Sequence, residues 1–127
     1  MNWVDTTIKD FGHAMGIENM ALKVGDVIGL NFEKRGDLYF ERLENEVLIS
    51  LVRDVLWYGE KSSILRKALA LCHYNNGYKW PVNAGVTKNN RIVFFVRMPE
   101  KDFSLVTLEE ILEVLTNLHD QLPQETS

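Results

Sequence analysis

The chain has 127 residues, room for one domain of ordinary size. Hydrophobic residues make up 46% and charged residues 25%, so a normal core can form without disulfides or metal. Fourteen Lys and Arg against eighteen Asp and Glu leave a net charge of −4, which argues against a nucleic-acid binder.

The lone Cys72 excludes an intrachain disulfide and suits a reducing compartment. Met1-Asn2-Trp3-Val4-Asp5 lacks the basic start of a secretory leader, and Asp5, Lys9 and Asp10 interrupt any apolar stretch behind it. Unbroken apolar runs such as Ile92 to Val96 reach about five residues, against the ~20 a membrane span needs. The expectation is a cytosolic protein with no stable membrane insertion.

In chain order, Trp3, Val4, Ile8, Phe11 and Met15 recur at helical spacing, with Asn2 as the cap, Asp5 in the first turn and Gly16 as the stop. From Asp26 the period becomes two. Ile28, Leu30 and Phe32 alternate with Val27, Gly29 and Asn31 in a first strand. Lys34-Arg35-Gly36-Asp37 turns the chain into a second strand, Leu38 to Leu43, and Glu44-Asn45-Glu46 leads to a third, Val47 to Val52. A helix follows from Ser62 or Ser63 to Tyr74, with Ile64, Leu65, Ala68, Leu69, Leu71 and Cys72 as its apolar face and Asn75-Asn76-Gly77 as its end.

Two more strands, Val82 to Lys88 and Arg91 to Met98, are joined by Asn89-Asn90, which suits a type I′ turn. Thr107-Leu108-Glu109-Glu110 reads as a capping box opening the last helix. That helix buries Leu108, Ile111, Leu112, Leu115, Leu118 and Leu122 and stops at Pro123. Residues 1–122 are thus expected to form a single α+β domain in the order α-β-β-β-α-β-β-α. It has one mainly antiparallel five-stranded sheet, three helices and a frayed tail at 123–127.

Apolar residues are in excess on the strands. Ile92, Phe94, Val96 and Met98 point one way and Val93 and Phe95 the other, and Val47 to Val52 is apolar on both faces apart from Ser50. Two readings stay open. Either the helices divide between the faces and everything is core, or part of the sheet or of the second helix meets another polypeptide.

No catalytic arrangement is visible. His13, His73 and His119 fall one per helix without metal-ligand spacing and read as partly exposed surface residues. Cys72 and His73 point about 100° apart on their helix, so Cys72 reads as a packing residue. Gly25, Gly29 and Gly36 fit no phosphate-binding loop, and Arg35-Gly36-Asp37 reads as a charged turn. Glu109, Glu110 and Glu113 form a solvated helix face. Neither enzyme activity, cofactor nor metal is expected.

Particular residue runs resemble a known family. They are Asn2-Trp3-Val4 with Phe11 and Gly16-Ile17, Leu51-Val52-Arg53-Asp54-Val55-Leu56-Trp57, Lys67-Ala68-Leu69-Ala70-Leu71, Pro81-Val82-Asn83-Ala84-Gly85, Ile92-Val93-Phe94-Phe95-Val96, and the Leu-rich last helix. In their order and spacing they resemble the class I type III secretion chaperones, and within them the SycN-type branch. The resemblance implies a cytoplasmic bacterial chaperone, with peripheral contact at the inner membrane through the secretion apparatus as an option. Such a chaperone carries no nucleotide and dimerises, often through the second helix and a neighbouring strand. The partner is a second small type III chaperone, YscB-like, with a homodimer as the other possibility. Together they hold the N-terminal segment of a secreted gatekeeper, YopN-like, or of an effector, and keep it soluble and secretion-competent.

On this sequence the resemblance places the subunit interface at Ile64, Leu65, Ala68, Leu69 and Cys72. Val27, Tyr39, Leu43, Trp57 and Val93 are the candidate cargo contacts, chosen on the less core-facing phase of their strands. A profilin-like or roadblock-like dimeric scaffold is the alternative, and it requires a different element order.

Overall fold

The computed structural model describes residues 3–17, 20–55, 61–74 and 80–122. Helix α1 (Trp3–Ala14) is followed by strands β1 (Val27–Phe32), β2 (Gly36–Leu43) and β3 (Glu46–Arg53), then α2 (Lys61–Tyr74), β4 (Val82–Val86), β5 (Ile92–Pro99) and α3 (Leu105–Asp120). The order is the one expected from periodicity. The five strands form one sheet in the order β1-β2-β3-β5-β4, every neighbouring pair antiparallel, so β1 and β4 are the edges.

Strand register decides which residues share a face. Ile28 pairs with Phe40 and Phe40 with Ile49, while Ile49 pairs with Val96 and Val96 with Val82. That face carries Leu38, Phe40, Val47, Ile49, Leu51, Ile92, Phe94, Val96 and Met98, all fully buried. They form one cluster with Val4, Ile8 and Phe11 of α1, Ile64 and Ala68 of α2, and Leu108, Ile111, Leu115 and Leu118 of α3. Edge-to-face contacts of Phe40 with Phe11 and Phe103 mark its centre. All three helices therefore bury their stripes on the same side of the sheet, and the fold is two layers.

Two arginines sit on the buried phase of their strands. Arg42 donates to Asp5 of α1 at 3.0 Å, to Glu100 at 3.0 Å and to the Leu22 carbonyl at 2.8 Å. Its own backbone binds Gly25 and Asp26. Arg53 donates to Asp120 of α3 at 2.7 Å and to the Arg35 carbonyl. These charges are tolerated at the margin of the core because each meets carboxylates and carbonyls there. Gly36 (φ +117) opens β2 where a side chain is excluded, since a Cβ would lie 2.5 Å from the Val52 carbonyl oxygen.

Several local expectations need correction. The last helix is capped by Ser104, whose Oγ accepts from the Thr107 N–H at 3.1 Å; Thr107 lies in the first turn instead of at the cap. The β4–β5 turn is not type I′, because only Asn90 has a positive φ, 61°. Thr87 and Arg91 close a three-residue loop in which Asn90 donates to Thr87, a turn followed by a left-handed residue. Met15 lies past the end of α1, where Gly16 (φ +76) turns the chain, and is 43% exposed instead of continuing the buried stripe.

His119, expected at the surface, is fully buried. It falls four residues after Leu115, on the apolar stripe of α3, with its ring edge-on to Phe94 and Nε2 2.7 Å from the Leu51 carbonyl. That nitrogen must carry the hydrogen and donate it. Asn2, the expected end of the second helix at 75–77, Pro123 and the tail at 123–127 lie outside the described residues.

Candidate partner-binding surface

Inverting the strand phase gives the outer face of the sheet. It carries Val27 on β1, Tyr39 and Leu43 on β2, Leu48, Ser50 and Val52 on β3, and Val93 and Phe95 on β5. Among the described residues no helical side chain joins this face, and none of its members belongs to the core cluster. Val27 is 57% exposed and Tyr39 37%, while Leu43, Leu48, Val93 and Phe95 are half-buried. Apolar strand residues with water on one side are the feature to explain.

Local sequence shapes this face. Tyr39 pairs with Gly29 across β1–β2, and a Cβ on Gly29 would stand 2.9 Å from the Tyr39 ring. The missing side chain lets the aromatic ring lie over the edge strand. Val52 pairs with Val93, and Ser50 sits between Tyr39 and Phe95. Tyr39, Ser50, Val52 and Val93, with Thr87, Asn89 and Arg91, line a hollow of about 280 Å³. At its rim Arg91 holds Asp37 at 2.7 Å and Asp54 at 3.0 Å. A hydrogen bond from Asn31, joined by Arg91, keeps the Asp37 carboxyl below its ordinary range despite partial burial. Both rim carboxylates are thus bonded within the chain to one guanidinium, leaving apolar surface and hydroxyl groups for a visitor.

The family described as "Type III secretory system chaperone SycN" matches residues 3–122. The chain belongs to that family. It is 25% identical over 122 residues to the chaperone protein SycN of Yersinia enterocolitica, covering 96% of this chain and 98% of that one. Among solved structures it resembles a chain of the ExsC-ExsE complex, with a TM-score of 0.77 at 14% identity over 99% of this chain and 100% of the other. It also resembles a chain of the HopA1-SchA chaperone-effector complex, with a TM-score of 0.68 at 14% identity over 93% and 91%. These structural likenesses establish a shared fold.

Within this SycN-family fold, the four described cargo candidates, Val27, Tyr39, Leu43 and Val93, all lie on the outer sheet face. Trp57 lies outside the described residues. The α2 candidates separate. Ile64 and Ala68 are buried in the chain's own core, Leu65 and Cys72 are half-buried against it, and Leu69 points outward at 49% exposure. Burial pushes the Cys72 thiol up to about 11, so it stays protonated at neutral pH.

Leu48, Val52 and Phe95 share the outer face without having been singled out for cargo. Their phase relative to Tyr39 and Val93 was the available signal. No helix among the described residues is long and apolar enough to cross a membrane.

Proposed function

We propose that this SycN-family chain is one subunit of a dimeric type III secretion chaperone that binds the N-terminal segment of a secreted gatekeeper, YopN-like, or of an effector. The other subunit is a second small chaperone, YscB-like. The observation that carries this reading is the outer sheet face, which leaves Val27, Tyr39, Leu43 and Val93 without helical cover among the described residues. An extended segment added to a sheet edge would gain backbone hydrogen bonds from the ladder, and one that continues over the face would gain side-chain selectivity from the hollow beside Tyr39. Trp57 extends the same proposal. Leu69, flanked by Leu65 and Cys72, offers the subunit contact on α2, while Ile64 and Ala68 hold that helix on the core beneath. The complex acts in the cytoplasm and meets the inner membrane through the secretion apparatus.

The test is co-expression with a YscB-like small chaperone and an N-terminal gatekeeper fragment, with mass read by light scattering. Leu69→Asp puts a charge in the subunit contact and should weaken dimerisation at least about tenfold while leaving the monomer folded. Tyr39→Asp should release the cargo fragment and spare the dimer. A folded monomer that ignores both partners would sink the proposal.

A further inference from the structure

A second concavity lies on the opposite side of the molecule from the outer sheet face. It is bounded by the end of α1, the end of β1 and the first half of α3, and measures about 430 Å³, within the range of sites that hold a large side chain or small ligand. Its floor is apolar: Phe11, Met15, Phe32 and Leu112. Phe11 and Leu112 are core residues seen from their outer edge, and Met15 is the residue that departs from the buried stripe of α1 because Gly16 turns the chain behind it. The methionine gives this floor an adaptable wall.

The lip is charged and unbalanced. Glu109 and Glu113 stand one turn apart on α3, facing a single cation, Arg35. Arg35 reaches Glu113 at 3.5 Å with both side chains well exposed, a weak pairing, and also donates to Thr116 at 3.3 Å. Among the described residues Glu109 has no ion-pair partner, and neither has the neighbouring Glu110. At the hollow beside Tyr39 one cation likewise faces two carboxylates, but there Arg91 bonds both, whereas here Arg35 reaches Glu113 alone and leaves Glu109 open to a partner's cation.

We propose that the α1–α3 groove is an electrostatically selective docking site for a partner polypeptide that offers an apolar side chain beside a Lys or Arg. The apolar residue enters the floor over Met15 and Phe32, and the cation meets Glu109. The occupant follows from charge complementarity: an acidic segment would bring like charge against Glu109 and Glu113, while a purely apolar one would leave the carboxylates unmatched. This inference rests on the chaperone reading for the source of the polypeptide, but its chemistry is independent of the sheet face.

Two synthetic peptides test it, identical except that the residue beside a central Leu is Arg in one and Glu in the other. Fluorescence anisotropy follows their binding to the full chain at about 50 and about 300 mM salt. The Arg peptide should bind saturably, at least about tenfold tighter than the Glu peptide, and weaken as salt rises. Glu109→Lys should reverse the preference. Met15→Asp, at an exposed position that leaves the core intact, should remove binding of the Arg peptide, while Tyr39→Asp should not. Equal binding of the two peptides, or none up to about 1 mM, overturns the groove. The gatekeeper fragment separates the two proposals. If it co-purifies and is lost on Tyr39→Asp while the peptides fail, the groove is wrong and the chaperone reading stands. If the Arg peptide binds as expected and no cargo fragment co-purifies, the reverse holds.

Discussion

His119 shows how one side chain ties stability to pH. Burial pushes its pKa down to about 4, the Leu51 hydrogen bond acting in the other direction, whereas the unfolded ring titrates near 6.5. Between those values the unfolded chain holds a proton that the folded chain refuses. The stability from this site is therefore complete above pH 6.5 and is lost as pH falls toward 4. The loss between about pH 7 and about pH 5 should be of order 2 kcal/mol. Urea midpoints at the two pH values measure it, and His119→Gln, which can still donate to Leu51 but cannot titrate, should flatten most of the difference. Asp37 acts in a separate window, below the ordinary carboxylate pKa of 3.8, because its folded-state value is lowered. The burial of His119 was legible in the sequence as a position on the Leu-rich stripe. The residue type suggested surface, and the spacing was the better guide.

At the scale of elements, apolar periodicity carried nearly all the information. Among the described residues the three α-helices and five strands lie where period 3.6 or period two put them, because burial on one face is what the pattern encodes; the single 3-10 turn at Glu100–Asp102 carries no such pattern. Ends were less legible, since several residues can serve as caps and the local sequence does not rank them. Thr107 with Glu110 offered a capping box, yet the helix starts three residues earlier at Ser104. Ser104→Ala should accordingly cost about 1 kcal/mol in thermal or urea unfolding, and Thr107→Ala less than half of that. The hairpin before β5 shows the same ambiguity. Two asparagines in a row suit a two-residue turn, but the ladder begins at Val86 and Ile92 and leaves a longer loop to be closed by one left-handed Asn90.

For the whole molecule, the side of the sheet on which each helix lies could not be read in advance. Periodicity tells which residues of an element are buried but not against which partner. The surplus of apolar strand residues was visible in Val93 and Phe95, and the structure resolves it by placing all three helical stripes on one face and leaving those two on the other. The candidate surfaces were legible to different degrees for the same reason. The strand candidates share a face because strand phase is simple. The α2 candidates divide because a wide helical stripe holds both core residues and residues beyond the core's margin.

The Arg42 guanidinium joins α1 through Asp5, the stretch before β1 through the Leu22 carbonyl and the chain after β5 through Glu100, while the Arg42 backbone pairs with Gly25 and Asp26. Segments far apart in sequence are therefore expected to loosen together. Amide hydrogen exchange in residues 3–14 and 20–26 should show a common opening free energy, and Arg42→Met should speed both together while β3 and β5 keep most of their protection. Were the two segments to exchange at unrelated rates, the coupling would be absent. One guanidinium thereby sets the smallest cooperative unit by which this end of the molecule opens.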